Sequence, residues 1–195
     1  MDVFYMIMYF LIYSFGGWVY ESTICSIQKY GKVINRGFLI GPYCPIYGLG
    51  AIINVYILRD IESSLSIFIV ALLITTVIEY MTSLGMEKIF KARWWDYSNL
   101  GLNINGRVCL FASTVFGVGS LVLIKVVHPF VESSLAIYDQ ESVSLVVVIL
   151  AALFAIDCGL TLAKEGQVDH KLKTHYGLVM RPGKKLEELR IKFIR

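Results

Sequence analysis

Three acidic residues, Glu21, Glu79 and Asp157, stand inside long apolar stretches and are the residues best suited to chemistry. Each comes seven to nine residues before a lysine near the end of its stretch. At 1.5 Å of helix rise per residue, each carboxylate would lie roughly 10 to 14 Å inside a membrane helix. A charge at that depth costs at least about 2.5 to 3.5 kcal/mol, so each acid needs a partner, a proton or water. Such groups could bind a cation, a proton or an amine, or transfer a proton.

The same acids also allow a structural interpretation. They could accept hydrogen bonds from loop backbone amides, or pair with Arg36, Arg93 and Arg107 and hold a helical bundle together. Polar side chains recur every three or four residues beside each acid, which predicts inward-facing stripes that converge on a polar cleft open to the cytoplasm. We favour the binding interpretation because all three acids lie at similar depth. Glu87 lies nearer the interface and is predicted to be an ordinary ion-pair partner.

Polar and aromatic residues of two connections complete the candidate site. These further candidates are Asn35, Arg36, Tyr43, Trp95, Asp96, Asn105 and Arg107. The paired tryptophans Trp94 and Trp95 also suit the membrane interface, where the ring lies in lipid and its N–H stays wet. A gate or a headgroup contact is the competing interpretation of that pair.

The elements that position these residues are predicted to be membrane helices. The 195-residue chain is 56% hydrophobic and 17% charged, against about 45 to 50% and about 25% in soluble domains. This composition excludes a disordered chain and an ordinary cytosolic enzyme, and a net charge of +3 argues against a nucleic-acid partner. We therefore predict an all-α polytopic bundle of about five crossings. They are residues 3–27, 38–58, 65–90, 108–127 and 143–163.

The distribution of cations predicts the orientation of the bundle. Sixteen of the 18 lysines and arginines fall in the first connection, the third connection or the C-terminal tail. By the positive-inside rule these parts face the cytoplasm, with the N-terminus outside and the C-terminus inside. Residues 1–163 would form the bundle. Residues 164–195 would form a basic cytoplasmic tail, with an amphipathic helix at residues 184–195 suited to an anionic leaflet.

Two further patterns concern the internal organisation of the bundle. Residues 3–58 and 65–127 share a plan of an acid-bearing helix, a loop with Asn, Arg and Gly, and a helix with paired glycines, which indicates a parallel repeat. Glycines and prolines crowd residues 37–50, so a regular helix cannot run through the start of the second crossing. We predict a broken or re-entrant segment at residues 38–45, lining protein or a watery cavity. A capped helix start at the interface is the alternative.

No metal site or cofactor is predicted from the sequence. The four cysteines are well separated and form no C-x-x-C pair. His170 and His175 stand in the tail without a cluster of carboxylates or thiols.

Several motifs together resemble a known family. They are Gly17-Trp18, Asn35-Arg36-Gly37-Phe38-Leu39, Pro45-Ile46-Tyr47-Gly48, Glu79-Tyr80, Arg93-Trp94-Trp95-Asp96-Tyr97-Ser98 and Asn105-Gly106-Arg107. The chain resembles a bacterial family labelled ABC-transporter permease of the CmpB type, and the animal transmembrane protein 229 family is similar. The resemblance covers residues 15–119 and leaves Asp157 outside it. It implies a transport protein without naming a substrate. The sequence has no G-x-x-x-x-G-K-[ST] phosphate loop, so ATP hydrolysis would fall to a separate subunit.

Three functions are compatible with these observations. We favour a multi-pass transport permease component in the bacterial inner membrane, with the lipid bilayer, a separate ATPase subunit or further copies of the chain as partners. The first alternative is an intramembrane enzyme acting on a lipid or a lipid-linked substrate. There Glu21 or Glu79 would be the general base and arginines would hold a phosphate. The second alternative is a non-transporting scaffold or accessory subunit.

Overall fold

The computed structural model describes residues 2–90 and 93–176, and helices make up most of this part of the chain. Two short strands, β1 (Asn103–Ile104) and β2 (Val108–Cys109), form an antiparallel hairpin. Two π-helical segments, Glu21–Cys25 and Leu123–Val127, continue neighbouring α-helices. The α-helices are α1 (Val3–Tyr20), α2 (Ser26–Tyr30), α3 (Pro45–Leu58), α4 (Ser64–Phe90), α5 (Leu110–Val122), α6 (His128–Leu135) and α7 (Gln140–Tyr176).

Four helical stretches are long and apolar enough to cross a membrane. They are Val3–Gln28, Ser64–Phe90, Leu110–Leu135 and Gln140–Lys164. Their lengths of 25 to 27 residues exceed the roughly 20 residues needed to span about 30 Å of hydrocarbon. The predicted helical, multi-pass class is thus confirmed at this level. The second predicted crossing, residues 38–58, contains only the 14-residue helix Pro45–Leu58, so five crossings and their orientation stay predictions.

The chain between α2 and α3 is irregular, at the place where glycines and prolines crowd the sequence. Helix α2 ends at Gly31, whose φ of 68° lies in the left-handed region that favours glycine. Helix α3 begins at Pro45, where the missing N–H breaks no helical hydrogen bond. The interruption predicted before the helix is therefore present, and its re-entry into the membrane stays a prediction.

The third connection contains a hairpin that the sequence analysis did not predict. Asn105 and Gly106 have φ angles of 53° and 68°, and the Arg107 N–H donates to the Ile104 carbonyl oxygen at 3.0 Å. Two central residues with positive φ match the type I′ turn, for which Asn-Gly is the preferred pair. Residues 108–109 are therefore strand, and the helix predicted to start there begins at Leu110 and extends to Leu135.

Helix α1 packs mainly on α3 and helix α4 mainly on α5. Glycines allow the close approach in both pairs. A Cβ at Gly48 would lie 2.5 Å from the Phe10 carbonyl oxygen, and a Cβ at Gly117 would lie 2.9 Å from the Phe68 ring. Each of these helix pairs lies within one segment of the predicted repeat, and the repeat itself stays a prediction. The predicted amphipathic helix at residues 184–195 lies outside the described residues.

We expect Gly48→Ala to lower the stability of the protein in detergent. The added methyl group meets the Phe10 backbone carbonyl as well as the Ser14 hydroxyl, so α1 and α3 must separate at a cost of about 1 to 3 kcal/mol. The midpoint of thermal unfolding measures the effect. Gly159→Ala is the control because a Cβ at that position meets no atom within 4 Å. Equal midpoints for the two variants would contradict the packing argument.

Candidate functional site

Glu21 is the first residue of the π segment that follows α1. Its Oε1 accepts a hydrogen bond from the Tyr47 hydroxyl at 2.7 Å. Its Oε2 lies 3.5 Å from the Arg36 Nε, and the Arg36 backbone N–H donates to the Ser22 hydroxyl at 3.2 Å. Both oxygens of Glu21 are therefore engaged, one by a hydroxyl and one by a cation from the irregular segment.

Glu79 lies in α4 and is only 4% exposed. Its Oε1 accepts a hydrogen bond from the Tyr97 hydroxyl at 2.9 Å. Its Oε2 has no hydrogen-bond partner among the described residues. As at Glu21, a tyrosine from later in the chain donates to the acid, but for Glu79 the described residues supply no cation.

The Tyr97 hydroxyl is held as a hydrogen-bond donor. Burial and the nearby Glu79 carboxylate raise its pKa well above the ordinary tyrosine value, and Glu21 adds to the same shift. The Tyr97 N–H donates to the Gly106 carbonyl oxygen at 2.8 Å, so the hairpin turn positions this donor.

Arg107 is 8% exposed and pairs with Glu87 rather than with Glu79. Its Nη2 lies 2.5 Å from the Glu87 Oε2, and the Arg93 Nε lies 3.0 Å from the same oxygen. The other Arg107 nitrogen, Nη1, donates to the Ser83 hydroxyl at 3.3 Å. Glu87 is thus the ion-pair partner that the sequence predicted, and its two arginines fix the hairpin to the end of α4.

Asp157 accepts hydrogen bonds from backbone amides of the irregular segment. Its Oδ1 accepts from the Ile40 N–H at 3.2 Å and its Oδ2 from the Gly41 N–H at 2.8 Å. Thr161, one turn later in α7, also accepts from the Ile40 N–H at 3.2 Å. The Tyr43 ring packs edge-on against Phe154 of the same helix, with centroids 5.5 Å apart. Hydrogen bonds from loop amides are what the structural interpretation of the three acids expected. Together with the Tyr43–Phe154 contact, they hold the irregular segment against α7.

Asn35 organises the irregular segment from within. Its Oδ1 accepts from the Trp18 Nε1–H at 2.8 Å and from the Gly37 N–H at 2.9 Å. Its Nδ2 donates to the Ile40 carbonyl oxygen at 3.1 Å. All three bonds shape the loop, so Asn35 has an architectural role.

Three further candidates organise the connection between α4 and α5 in a similar way. Asn105 donates to the Tyr80 hydroxyl at 3.1 Å. The Trp95 Nε1–H donates to the Arg107 carbonyl oxygen at 2.9 Å, and Asp96 accepts from the Ser98 N–H at 2.9 Å. These contacts build the loop that carries Tyr97 to Glu79.

A cavity of about 490 Å³ lies between α1, α3, α4 and α5. The ionisable residues of its wall are Glu79 and three tyrosines, and the other polar groups include Asn54 and Ser120. The sequence analysis predicted a polar cleft, but neither the largely apolar wall of this cavity nor Asn54. The available signal was an amide side chain in the otherwise apolar run of α3. Among the side chains that the structure describes, those of residues 2–28, 30–90 and 93–164, no group of three or more His, Cys, Asp or Glu could hold a metal ion.

The comparisons with known proteins gave one result. A family model described as "Putative ABC-transporter type IV" matches residues 8–162. This match includes Asp157, which the motifs found in the sequence had left outside. No curated protein and no solved structure matches the chain.

We expect Tyr97→Phe to destabilise the protein through Glu79. Removing the hydroxyl leaves the buried carboxyl without its hydrogen bond, at a cost of about 1 to 3 kcal/mol. In a Glu79→Leu background the same change should cost much less, because the acceptor is gone. The apparent free energies of unfolding of the four proteins of this double-mutant cycle measure the coupling. Tyr56→Phe, at a residue that is 70% exposed, is the control, and equal costs in both backgrounds would contradict the pairing.

Asp157→Ala should free the irregular segment. The Gly41 amide loses its acceptor and the Ile40 amide keeps only the Thr161 hydroxyl. Hydrogen exchange of the segment should therefore become faster, at Gly41 by about tenfold or more, as expected for the loss of a hydrogen bond to a charged group. Exchange measured by mass spectrometry on peptides covering residues 38–44 tests this. Cys158→Ala, the neighbouring position, should leave exchange in these peptides unchanged. Unaltered protection in Asp157→Ala would show that the carboxylate does not hold the loop.

Proposed function

The chain belongs to the family described as putative ABC-transporter type IV, and from this premise we propose that it is the membrane component of a transporter whose substrate meets Glu79 in the cavity. One observation carries the proposal. The Glu79 Oε2 is buried, has no hydrogen-bond partner among the described residues, and belongs to a residue on the cavity wall. An acid needed only for packing would have both oxygens satisfied, because an unpaired buried polar group is costly.

The other two candidate acids support this assignment by contrast. Glu21 is paired with Arg36, and Asp157 accepts two backbone amides. We assign a structural role to both of these acids. Glu21 also accepts a hydrogen bond from Tyr47, which lines the cavity. Glu79 is left as the group that a substrate would complete.

The proposal includes a topology and a partner. The distribution of cations favours a cytoplasmic C-terminus in a bacterial inner membrane. Because the sequence contains no phosphate loop, a separate subunit would supply ATP hydrolysis. The lipid-enzyme alternative is weaker, since Arg36 and Arg107, which would have to hold a phosphate, are paired with Glu21 and Glu87.

Purification from the native host tests the transporter assignment. The chain, tagged and produced at its native level, should co-purify in mild detergent with a nucleotide-binding subunit, and the eluate should hydrolyse ATP. The Glu79→Gln variant should retain this subunit because the substitution lies inside the bundle. An unrelated tagged multi-pass protein is the control for contaminating ATPases. A chain that purifies alone, or in a stable complex without an ATPase, would overturn the assignment in favour of an enzyme or a scaffold.

A further inference from the structure

The cavity between α1, α3, α4 and α5 has the dimensions of a small-molecule site. Its volume of about 490 Å³ lies within the roughly 300 to 1,000 Å³ typical of such sites. Most of its wall is apolar or aromatic, with a few polar side chains among the lining residues. This composition is suited to a ligand with a hydrophobic body and a small polar group.

Two unpartnered oxygens in the wall specify that polar group. Glu79 is 4% exposed and Asn54 is 1% exposed, and the Glu79 Oε2 and Asn54 Oδ1 have no hydrogen-bond partner among the described residues. The Asn54 Nδ2 already donates to the Gly50 carbonyl oxygen at 2.9 Å and to the Ser120 hydroxyl at 3.2 Å. Both free groups are therefore acceptors, and the ligand that satisfies them must be a hydrogen-bond donor.

The charges and rings around these oxygens favour a positively charged donor. In the part of the chain that the structure describes, Arg36 pairs with Glu21, and Arg93 and Arg107 pair with Glu87. None of these cations pairs with Glu79. Aromatic rings also line the cavity at Tyr20, Tyr47 and Phe116, and ring faces attract cations. A carboxylate among aromatic rings is an arrangement that recognises ammonium groups.

The opening of the cavity lies between α1 and α5. Gly16 and Tyr20 on α1 and Val115 and Gly119 on α5 line the cavity and are exposed. Helix α1 packs mainly on α3 and α7, whereas α5 packs mainly on α4, which leaves this side uncovered. Both helices belong to candidate membrane spans, so the opening faces the acyl chains of the bilayer. A ligand that enters there must itself be hydrophobic.

We propose that this cavity binds a hydrophobic amine. Its ammonium group donates a hydrogen bond to the Glu79 carboxylate, its apolar body packs against the aromatic wall, and Asn54 offers a further acceptor. This inference deepens the proposed function by naming the substrate class, and the status of the amine as a transported substrate rests on that function.

A series of probes that share a naphthyl group and differ in their polar group tests the inference on the unmodified protein. The full-length chain is reconstituted in nanodiscs, and binding of 1-naphthylmethylamine, 1-naphthylmethanol and 1-naphthylacetate is measured by equilibrium dialysis against empty nanodiscs. The amine should bind about tenfold or more tightly than the alcohol, as expected for a charge-assisted hydrogen bond. The carboxylate should bind most weakly. Equal affinity for the amine and the alcohol would overturn the proposal.

Two pairs of variants separate the contribution of the Glu79 charge to binding from that of the cavity volume. Glu79→Gln should weaken amine binding about tenfold or more and leave alcohol binding unchanged, whereas Glu62→Gln, an exposed acid outside the cavity wall, should change neither. Gly50 is buried in the wall, and a Cβ there meets no atom within 4 Å, so Gly50→Leu should fill the cavity and abolish binding of both neutral and charged probes.

Gly159→Leu is the matched control for the cavity-filling variant, because Gly159 is exposed on α7 and a Cβ there also meets no atom within 4 Å. Unchanged amine binding in Gly50→Leu or Glu79→Gln would overturn the proposal. The assay contains neither ATP nor a second subunit. Amine binding without a co-purifying ATPase would therefore refute only the transporter assignment, and an ATPase complex without amine binding would refute only this inference.

Discussion

The cost of placing carboxylates at membrane depth is the constraint on which the rest of this structure depends. Four acids of the described bundle meet that cost in different ways. Glu21 has an arginine, Glu87 has two, and Asp157 has two backbone amides. Glu79 has one tyrosine hydroxyl for one of its two oxygens. A buried polar atom without a hydrogen-bond partner is costly. Glu79 is therefore the acid that needs an explanation beyond packing.

The irregular connections supply these partners. The segment between α2 and α3 brings Arg36 to Glu21 and offers the Ile40 and Gly41 amides to Asp157. The connection between α4 and α5 brings Tyr97 to Glu79 and Arg107 to Glu87. The bonds from Asn35 and the Asn-Gly turn fix the shapes in which these two loops present their partners to the acids.

Much of this architecture could be predicted from the sequence, because apolar length and the positions of acids are local properties. The interruption before α3 also followed from local chemistry, since proline and glycine limit helices wherever they occur. The Asn105-Gly106 pair carried an equally local signal for the hairpin, but neighbouring residues with little alternation of polarity hid it. Helix α5 continues past the predicted end at residue 127 because His128–Leu135 extends it through a π-helical segment, which no periodicity of apolar residues marks.

The partner of each acid could not be predicted, because that depends on where distant loops return to the bundle. Glu21, Glu79 and Asp157 look equivalent in the sequence, each at a similar distance from a lysine. Their difference arises from the surfaces that their helices face. Asp157 lies in α7 and faces the irregular segment, whereas Glu79 lies in α4 and faces the cavity between the two helix pairs. The same depth therefore gives a structural acid where a loop covers the helix and a candidate binding group where the helices leave space.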